Sequence, residues 1–263
     1  MKKSKILVIK YGGSILKNKS LKKGLVKDII ALKKKGFAPV IVHGGGAEIN
    51  TFMHKLGKKP KFVHGLRVTD KTTMEIVELV LSGKVNKDIV NLINISGGIA
   101  VGLSGKDGKL ILAKKKKTKY NLGFVGEVKK INTGLIEALR KDFIPVISSV
   151  GVDEKGITYN INADEAAAAI AAALKADRLV LLTDVNGVLM KECESSSCIP
   201  TINVCDISGL ISSGVITKGM IPKMKSCINA LKAGVREIDV INGTKKDVLK
   251  SLIQGKKTGT KIV

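Results

Sequence analysis

Six short apolar runs, which alternate with segments of helical periodicity, constrain the fold of this chain more than any other feature of its sequence. Apolar runs without regular polar positions are typical of strands buried on both faces, as in parallel sheets. The predicted strands are residues 5–9, 38–42, 100–103, 144–148, 179–182 and 237–241. The predicted helices are residues 21–35, 47–56, 71–81, 86–95, 134–141, 164–174, 222–233 and 246–254. This order, with right-handed crossovers, predicts an α/β fold: a three-layer sandwich with one mostly parallel central sheet between two helical layers.

Length and composition indicate the size and character of the core. The 263 residues suffice for two lobes that share one sheet, and 44% hydrophobic against 3% aromatic residues predicts an aliphatic core. We expect the lobes to meet near residues 170–180, with an N-terminal lobe of residues 1–175 and a C-terminal lobe of residues 176–263. Residues 110–131 interrupt the alternation with short runs around glycines, which predicts an antiparallel hairpin. Residues 191–204 are polar and predict an exposed hairpin or loop.

The chain is strongly basic, with 46 Lys and Arg residues against 22 Asp and Glu and a formal net charge of +24. Such an excess indicates either an acidic partner or solvated, lysine-rich helix faces. We favour the solvated faces. Nucleic acid is not expected as a partner, because aromatic residues that could stack on bases are nearly absent and no nucleic-acid-binding motif occurs.

Cysteine usage and hydropathy bear on metal binding and location. The four cysteines lack the paired short spacing and the histidines of a zinc site, so we predict reduced thiols and no metal site built from protein side chains. The sequence shows no signal peptide and no run of about 20 apolar residues. We therefore expect a cytoplasmic protein with no membrane partner.

Two glycine-rich turns follow the first two predicted strands. Lys10 is separated by one residue from Gly12 and Gly13, and His43 precedes the triplet Gly44–Gly45–Gly46. Glycines let the backbone approach a bulky anion where a Cβ would clash, and the triplet opens a predicted helix, whose N-terminus favours anions. The turns match neither the Walker A loop nor the dinucleotide-binding fingerprint. They indicate a site that handles phosphate or carboxylate.

Polar residues at other predicted strand and helix ends point to the same chemistry. Arg67 is one of only four arginines in a lysine-rich chain, which suggests bidentate recognition of a carboxylate. Asn160, Asn162 and Asp164 alternate before a helix, which directs them to one side. Lys223 lies at a helix start, where it opposes the helix dipole, and this local cost favours a role in anion binding.

In chain order, these segments resemble the amino acid kinase family, and the resemblance covers nearly the whole sequence. The matching motifs are Lys10-Tyr-Gly-Gly, His43-Gly-Gly-Gly, Gly65-Leu-Arg-Val-Thr-Asp, Gly102-Leu-Ser-Gly-Lys-Asp-Gly, Leu122-Gly-Phe-Val-Gly-Glu, Tyr159-Asn-Ile-Asn-Ala-Asp, Thr183-Asp-Val-Asn-Gly, Gly219-Met-Ile-Pro-Lys and Gly259-Thr-Lys-Ile. The resemblance is closest to members that phosphorylate the side-chain carboxylate of N-acetyl-L-glutamate with ATP, in arginine biosynthesis.

The resemblance implies a role for each candidate residue. Lys10 and Lys223 would stabilise the transferring phosphoryl group and Asp164 would orient both lysines, while Gly12, Gly13 and Gly45 would offer N–H groups. Arg67 would hold the substrate α-carboxylate with help from Asn160, and Gly45 and Gly46 would touch the substrate. The nucleotide would be lined by Asp184, Val185, Asn186, Gly187, Val188, Leu189, Val215, Ile216 and Thr217. The N-terminal lobe would then bind the acyl amino acid and dimerise, and the C-terminal lobe would bind ATP, with Mg²⁺ held mainly by the ATP phosphates.

The sequence also departs from the family pattern and leaves alternatives open. Lys218 stands where many relatives have glycine, and Lys10 lies too near Met1 for the extra N-terminal helix of arginine-sensitive members, so we expect a homodimer without arginine feedback. One alternative is a kinase of glutamate or aminoadipate attached to an acidic amino-group carrier protein, which a basic surface would attract. The Gly65–Asp70 motif favours free N-acetylglutamate. A non-catalytic sensor is a second alternative, which the joint presence of Lys10, Asp164 and Lys223 disfavours.

Overall fold

The computed structural model of the chain describes residues 4–12, 18–191, 194, 197–217 and 219–263; for Lys19 it describes the backbone only. Gly13 and Lys218 therefore lie outside the described residues. The strands are β1 (Ile6–Tyr11), β2 (Ala38–His43), β3 (Phe62–Val63), β4 (Leu66–Arg67), β5 (Ala100–Leu103), β6 (Ile111–Lys115), β7 (Val125–Ile131), β8 (Ile144–Ser148), β9 (Val150–Val152), β10 (Thr158–Ile161), β11 (Arg178–Thr183), β12 (Thr201–Ile202), β13 (Glu237–Asn242) and β14 (Gly259–Ile262).

One mostly parallel sheet runs through the molecule in the order β12-β14-β13-β11-β1-β2-β8-β5. Its only antiparallel pair among the described residues is β13–β14. All six predicted strands are confirmed as members of this sheet. The sequence did not predict β14 or β12, because Gly259-Thr-Lys-Ile contains only one aliphatic residue and β12 has only two residues. Since β12 belongs to the sheet, residues 191–204 are not entirely an exposed loop.

The helices are α1 (Lys19–Lys34), α2 (Gly46–Lys55), α3 (Lys71–Glu78), α4 (Asn86–Ile95), α5 (Gly134–Leu139), α6 (Ala163–Ala173), α7 (Ile207–Ser212), α8 (Met220–Lys232) and α9 (Val248–Ile253). The predicted break between residues 81 and 86 is wrong, because the π-helical segment Leu79–Val85 joins α3 to α4. Such insertions into helices are rare and occur frequently at functional sites. Among the described residues, no helix is long and apolar enough to cross a bilayer.

Helices cover both faces of the sheet, as the three-layer prediction requires. Ile6 and Val8 point into one aliphatic cluster, which includes buried residues of α6 and α8, while Leu7 and Ile9 point into the other, with α1, α2 and α4. Alternate side chains of a strand leave on opposite faces, so β1 is buried from both sides. Gly12 and the glycine triplet lie just beyond the C-terminal ends of β1 and β2.

A small closed barrel of β10, β7, β6 and β9 accounts for the interruption of the strand–helix alternation. Its β6 and β7 pair antiparallel, which confirms the predicted hairpin. Strand β10 ends next to Asn162, whose side chain caps α6 by accepting hydrogen bonds from the N–H groups of Asp164 and Glu165. Asn160, in β10, and Asp164, in the first turn of α6, therefore lie at the C-terminal edge of the main sheet.

Candidate active site

A cleft of about 240 Å³ opens at the C-terminal ends of β1 and β2. Ligands in open α/β sheets bind at this edge. A larger cavity of about 500 Å³ lies between α6 and α8, but alanines line much of it and its Lys116 and Glu165 are paired with each other at 2.7 Å. We place the candidate site in the smaller cleft because most of the predicted catalytic and substrate-binding residues line it: Lys10, Gly45, Gly46, Arg67, Asn160 and Asp164.

Asp164 joins two lysines that come from distant parts of the chain. Its Oδ1 lies 3.1 Å from Lys10 Nζ at the end of β1, and its Oδ2 lies 2.9 Å from Lys223 Nζ in the first turn of α8. Burial alone would raise the pKa of Asp164, but the two ammonium groups outweigh it and lower the pKa to about 2. The carboxylate is therefore ionised at neutral pH and holds two cations side by side.

The glycine triplet forms an uncapped helix start in the same cleft. Gly45 is the N-cap of α2, and no side chain caps the helix. A Cβ added to Gly45 would lie 2.8 Å from Cδ2 of Leu81 and 3.2 Å from Cγ2 of Val85, both in the π-helical segment. Glycine is thus required here partly by the close approach of the segment, and the helix leaves unpaired N–H groups for an anion.

Arg67, in β4, lies against the same turn. Its Nη2 donates to the carbonyl of Gly46 at 3.1 Å, and its Cζ lies 4.7 Å from the ring centroid of Phe62. Burial lowers the pKa of the guanidinium from its ordinary value. That ordinary value is so high that the group remains charged at neutral pH. Asn160 joins this end of the cleft by donating to Thr69 Oγ1 at 3.2 Å, which in turn donates to the Arg67 carbonyl.

Gly12 also lines the cleft, and a Cβ there would lie 3.3 Å from Lys10 Nζ. Its predicted companion Gly13 is outside the described residues. Lys223 is absent from the cleft lining but reaches the site through its ion pair with Asp164. The structure thus brings the predicted catalytic residues together around Asp164, although Lys223 lies 59 residues away in sequence.

Of the residues predicted to bind the nucleotide, Gly12 lines this cleft and Gly13 is outside the described residues, whereas those of the C-terminal lobe lie apart from its lining. The first of them, Asp184, directly follows β11, which is the neighbour of β1 in the sheet. Val188 and Ile216 are buried in the aliphatic core, so any contact they make with a nucleotide would come from their backbones. The remaining predicted residues of this group are Val185, Asn186, Gly187, Leu189, Val215 and Thr217.

Two residues without a predicted role hold this nucleotide segment in place. Thr260 Oγ1, in β14, accepts from the Val188 N–H at 2.8 Å and donates to the Ile199 carbonyl at 2.7 Å. Asn242, at the end of β13, donates to Asn186 Oδ1 at 3.0 Å. The motif Gly259-Thr-Lys-Ile indicated Thr260 only by resemblance, since nothing local in the sequence connects it to Val188.

Comparison with known proteins gives one consistent result. The family model of the amino acid kinase family matches residues 5–242. The chain is 51% identical to acetylglutamate kinase of Heliobacterium modesticaldum, over 91% of this chain and 85% of that protein. It is 47% identical to acetylglutamate kinase of Methanococcus maripaludis, over 98% of this chain and 91% of that protein. The crystal structure of smu.665 from Streptococcus mutans superposes with a TM-score of 0.84 at 33% identity, covering 98% of each chain.

Proposed function

The chain belongs to the amino acid kinase family, and we propose that it transfers the γ-phosphoryl group of ATP to the side-chain carboxylate of N-acetyl-L-glutamate, a step of arginine biosynthesis. The observation that carries the proposal is the pairing of Lys10 and Lys223 with one carboxylate, Asp164, beside an uncapped glycine turn. Phosphoryl transfer needs cations and N–H groups around the transferred oxygens. Both are present in this cleft.

The reaction needs no general base from the protein. The acceptor carboxylate is ionised at neutral pH. One of its oxygens attacks the γ-phosphorus, the bond from that phosphorus to the bridging oxygen of ADP breaks, and an acyl phosphate and ADP result. Lys10 and Lys223 stabilise the negative charge on the transferring group, and Asp164 holds their ammonium groups in position.

Arg67 and Asn160 hold the other end of the acceptor. The guanidinium is already oriented by Gly46 and Phe62, so it can meet the α-carboxylate with little loss of side-chain freedom. Gly45 and Gly46 face the acceptor between these two ends of the cleft, and Gly12 contributes an N–H group near Lys10. We propose the same role for Gly13.

ATP occupies the C-terminal lobe of residues 176–263, along residues 184–189 and 215–217. Mg²⁺ would be held mainly by the ATP phosphates. Asp164 is already paired with two lysines. The described part of the chain contains no group of three or more acidic, histidine or cysteine side chains that could hold a metal ion. When bound, Mg²⁺ offsets phosphate charge. Cys198, Cys205 and Cys227 are free thiols, which supports a cytoplasmic location.

A homodimer accounts for an apolar surface at one end of the sheet. Strand β5 is an edge strand, and near it Leu79, Ile95 and Ile99 are 72%, 72% and 64% exposed. Edge strands and apolar patches favour pairing with another chain. We propose that two copies meet through this surface of the N-terminal lobe.

Hydroxylamine trapping tests the activity directly. The protein is incubated with Mg-ATP and N-acetylglutamate, and the acyl phosphate is captured as a coloured hydroxamate. We expect product formation that depends on all components. Absence of product with the free substrate, together with turnover of glutamate linked to a carrier protein, would contradict the proposed substrate and favour the carrier-dependent alternative.

Two substitutions separate the proposed roles within the site. Lys223→Ala should lower kcat by about 100-fold, because it removes a cation that acts on the transferring group. Arg67→Ala should instead raise the KM for N-acetylglutamate by about 10-fold or more with a smaller effect on kcat. Lys225→Ala, an exposed lysine on the same helix as Lys223, is the matched control and should leave both constants unchanged. An unchanged kcat in Lys223→Ala would refute its role.

A further inference from the structure

The peptide between Gly44 and Gly45 is hydrogen-bonded, through the Gly44 carbonyl, to the imidazole of His43. The side chain is 0% exposed at the end of β2, and its Nδ1 lies 2.9 Å from the Gly44 carbonyl oxygen. A carbonyl oxygen can only accept a hydrogen bond, so Nδ1 carries the ring proton and donates it. His43 contacts this turn but does not line the cleft.

Asn86 determines the state of the other ring nitrogen. Its Nδ2 lies 3.1 Å from His43 Nε2 and 2.9 Å from the Val146 carbonyl oxygen, and the side chain is fully buried at the start of α4. The same Nδ2 lies 3.2 Å from the Leu103 carbonyl oxygen, and the two carbonyls orient the amide with its NH₂ group toward them and the ring. An amide NH₂ group cannot accept a hydrogen bond, so the nitrogen that faces it, Nε2, carries no proton. Burial lowers the pKa of His43 to about 4, against the opposing effect of its hydrogen bond to Gly44, and the ring is neutral at pH 7.

The hydrogen bond at Nδ1 determines which way the next N–H group points. A trans peptide directs its C=O and N–H in opposite directions, and the described residues contain no cis peptide. With the Gly44 carbonyl turned toward the ring, the Gly45 N–H points away from it. That N–H has no hydrogen-bond partner among the described residues, and Gly45 lines the cleft. A flipped peptide would present an oxygen to an anion instead.

We propose that His43 is a positioning residue, which holds the Gly44–Gly45 peptide so that the Gly45 N–H donates to the transferring phosphoryl group. The inference rests on the proposed function, since it concerns the same site. Glycine resists rotation of its peptide less than other residues do, so a turn of three glycines needs an external contact to keep one orientation. The buried pair His43–Asn86 supplies that contact without touching either substrate.

Two substitutions of His43 separate this role from a merely structural one. In His43→Asn the amide NH₂ takes the place of Nδ1–H and can still donate to Gly44, whereas in His43→Gln the longer amide reaches toward Asn86 and leaves the Gly44 carbonyl without its donor. We expect His43→Gln to lower kcat by about 10- to 100-fold with KM values within about 3-fold, since an oriented N–H donor is lost. We expect His43→Asn to keep kcat within about 3-fold.

Two further measurements accompany the kinetics. Thermal unfolding of both variants measures any structural cost, and ¹⁵N NMR of histidine-labelled parent protein reports the tautomer at pH 7 without any substrate. A Nδ1–H tautomer together with the split in kcat supports the proposal. An equal fall in kcat in both variants that follows their loss of Tm, or an Nε2–H tautomer, overturns it. Absence of acyl phosphate from the parent protein would refute the proposed function and with it the donation to a phosphoryl group, whereas an Nε2–H tautomer in an active parent would overturn only the positioning role of His43.

Discussion

At the scale of single residues, two buried aspartates show how neighbours determine the charge of a carboxylate. Asp164 is paired with two lysines, and its pKa is about 2. Asp239 is 5% exposed, and burial raises its pKa to about 6. Arg178 opposes this rise only in part, and it also forms an ion pair with the nearby Glu237. The first arrangement keeps the carboxylate ionised. The second makes the carboxylate harder to ionise in the folded chain than in the unfolded chain.

The raised pKa of Asp239 predicts a pH-dependent difference in stability. The folded chain binds this proton more tightly than the unfolded chain, so the stability that the group contributes at low pH is lost as pH rises through about 6. Relative to Asp239→Asn, the free energy of unfolding of the parent should fall by roughly 1–2 kcal/mol between pH 5 and pH 7.5. Urea unfolding of both proteins at the two pH values measures this difference. Parallel pH curves would contradict the prediction.

At the scale of elements, β14 determines the conformation of a segment that is distant from it in sequence. Gly187 has φ of +121°, and a Cβ there would lie 2.5 Å from Thr260 Oγ1, so the segment of residues 184–189 packs closely on β14. Thr260 also bridges the Val188 N–H and the Ile199 carbonyl. One buried hydroxyl therefore joins the proposed nucleotide segment to Ile199, in the chain that precedes β12.

Removal of that hydroxyl should weaken ATP binding. Thr260→Val keeps the shape of the side chain but leaves a buried N–H and C=O unpaired, at a cost of about 1–3 kcal/mol. We expect the KM for ATP to rise by about 5- to 20-fold, with the KM for the acyl amino acid within about 2-fold. Thr260→Ser retains the hydroxyl and should remain close to the parent. If Thr260→Val and Thr260→Ser behave alike, the hydroxyl bridge does not position the segment.

At the scale of the whole molecule, the apolar end of the sheet lies close to the cleft proposed as the active site. The π-helical segment begins with exposed Leu79 and also presses Leu81 and Val85 against Gly45. Asn86, directly after the segment, binds His43. A few residues therefore connect the proposed dimer surface to the glycine turn of the candidate site.

Light scattering after size-exclusion chromatography tests the dimer. The parent should have twice the mass of the 28.0 kDa chain. Two buried glutamates are costly in an interface, so the double variant Ile95→Glu with Ile99→Glu should shift the protein toward the mass of a single chain. Leu56→Glu, a 66% exposed leucine at the end of α2, is the control and should leave the mass unchanged. A parent of single-chain mass would refute this assembly.

Much of the fold and of the site could be predicted from local patterns. The six apolar runs became strands because they are continuous and aliphatic, and a helix cap such as Asn162 depends on neighbouring residues only. Helix α7, which has only six residues, and the π-helical form of Leu79–Val85, which packs against α2, were not predicted. Lys10, Asp164 and Arg67 stood out in the sequence, whereas Asn86 and Thr260 did not.

The sequence by itself determined which segments form the layers, where the glycine turns fall and which charged residues are unusual for their positions. Only the tertiary structure decided which of these residues meet. Asp164 pairs with Lys223 from 59 residues away, and Asn86 contacts the His43 ring from 43 residues away. The physical reason is that apolar periodicity and capping act within a few residues along the chain, whereas ion pairs and buried hydrogen bonds depend on distances that folding alone establishes.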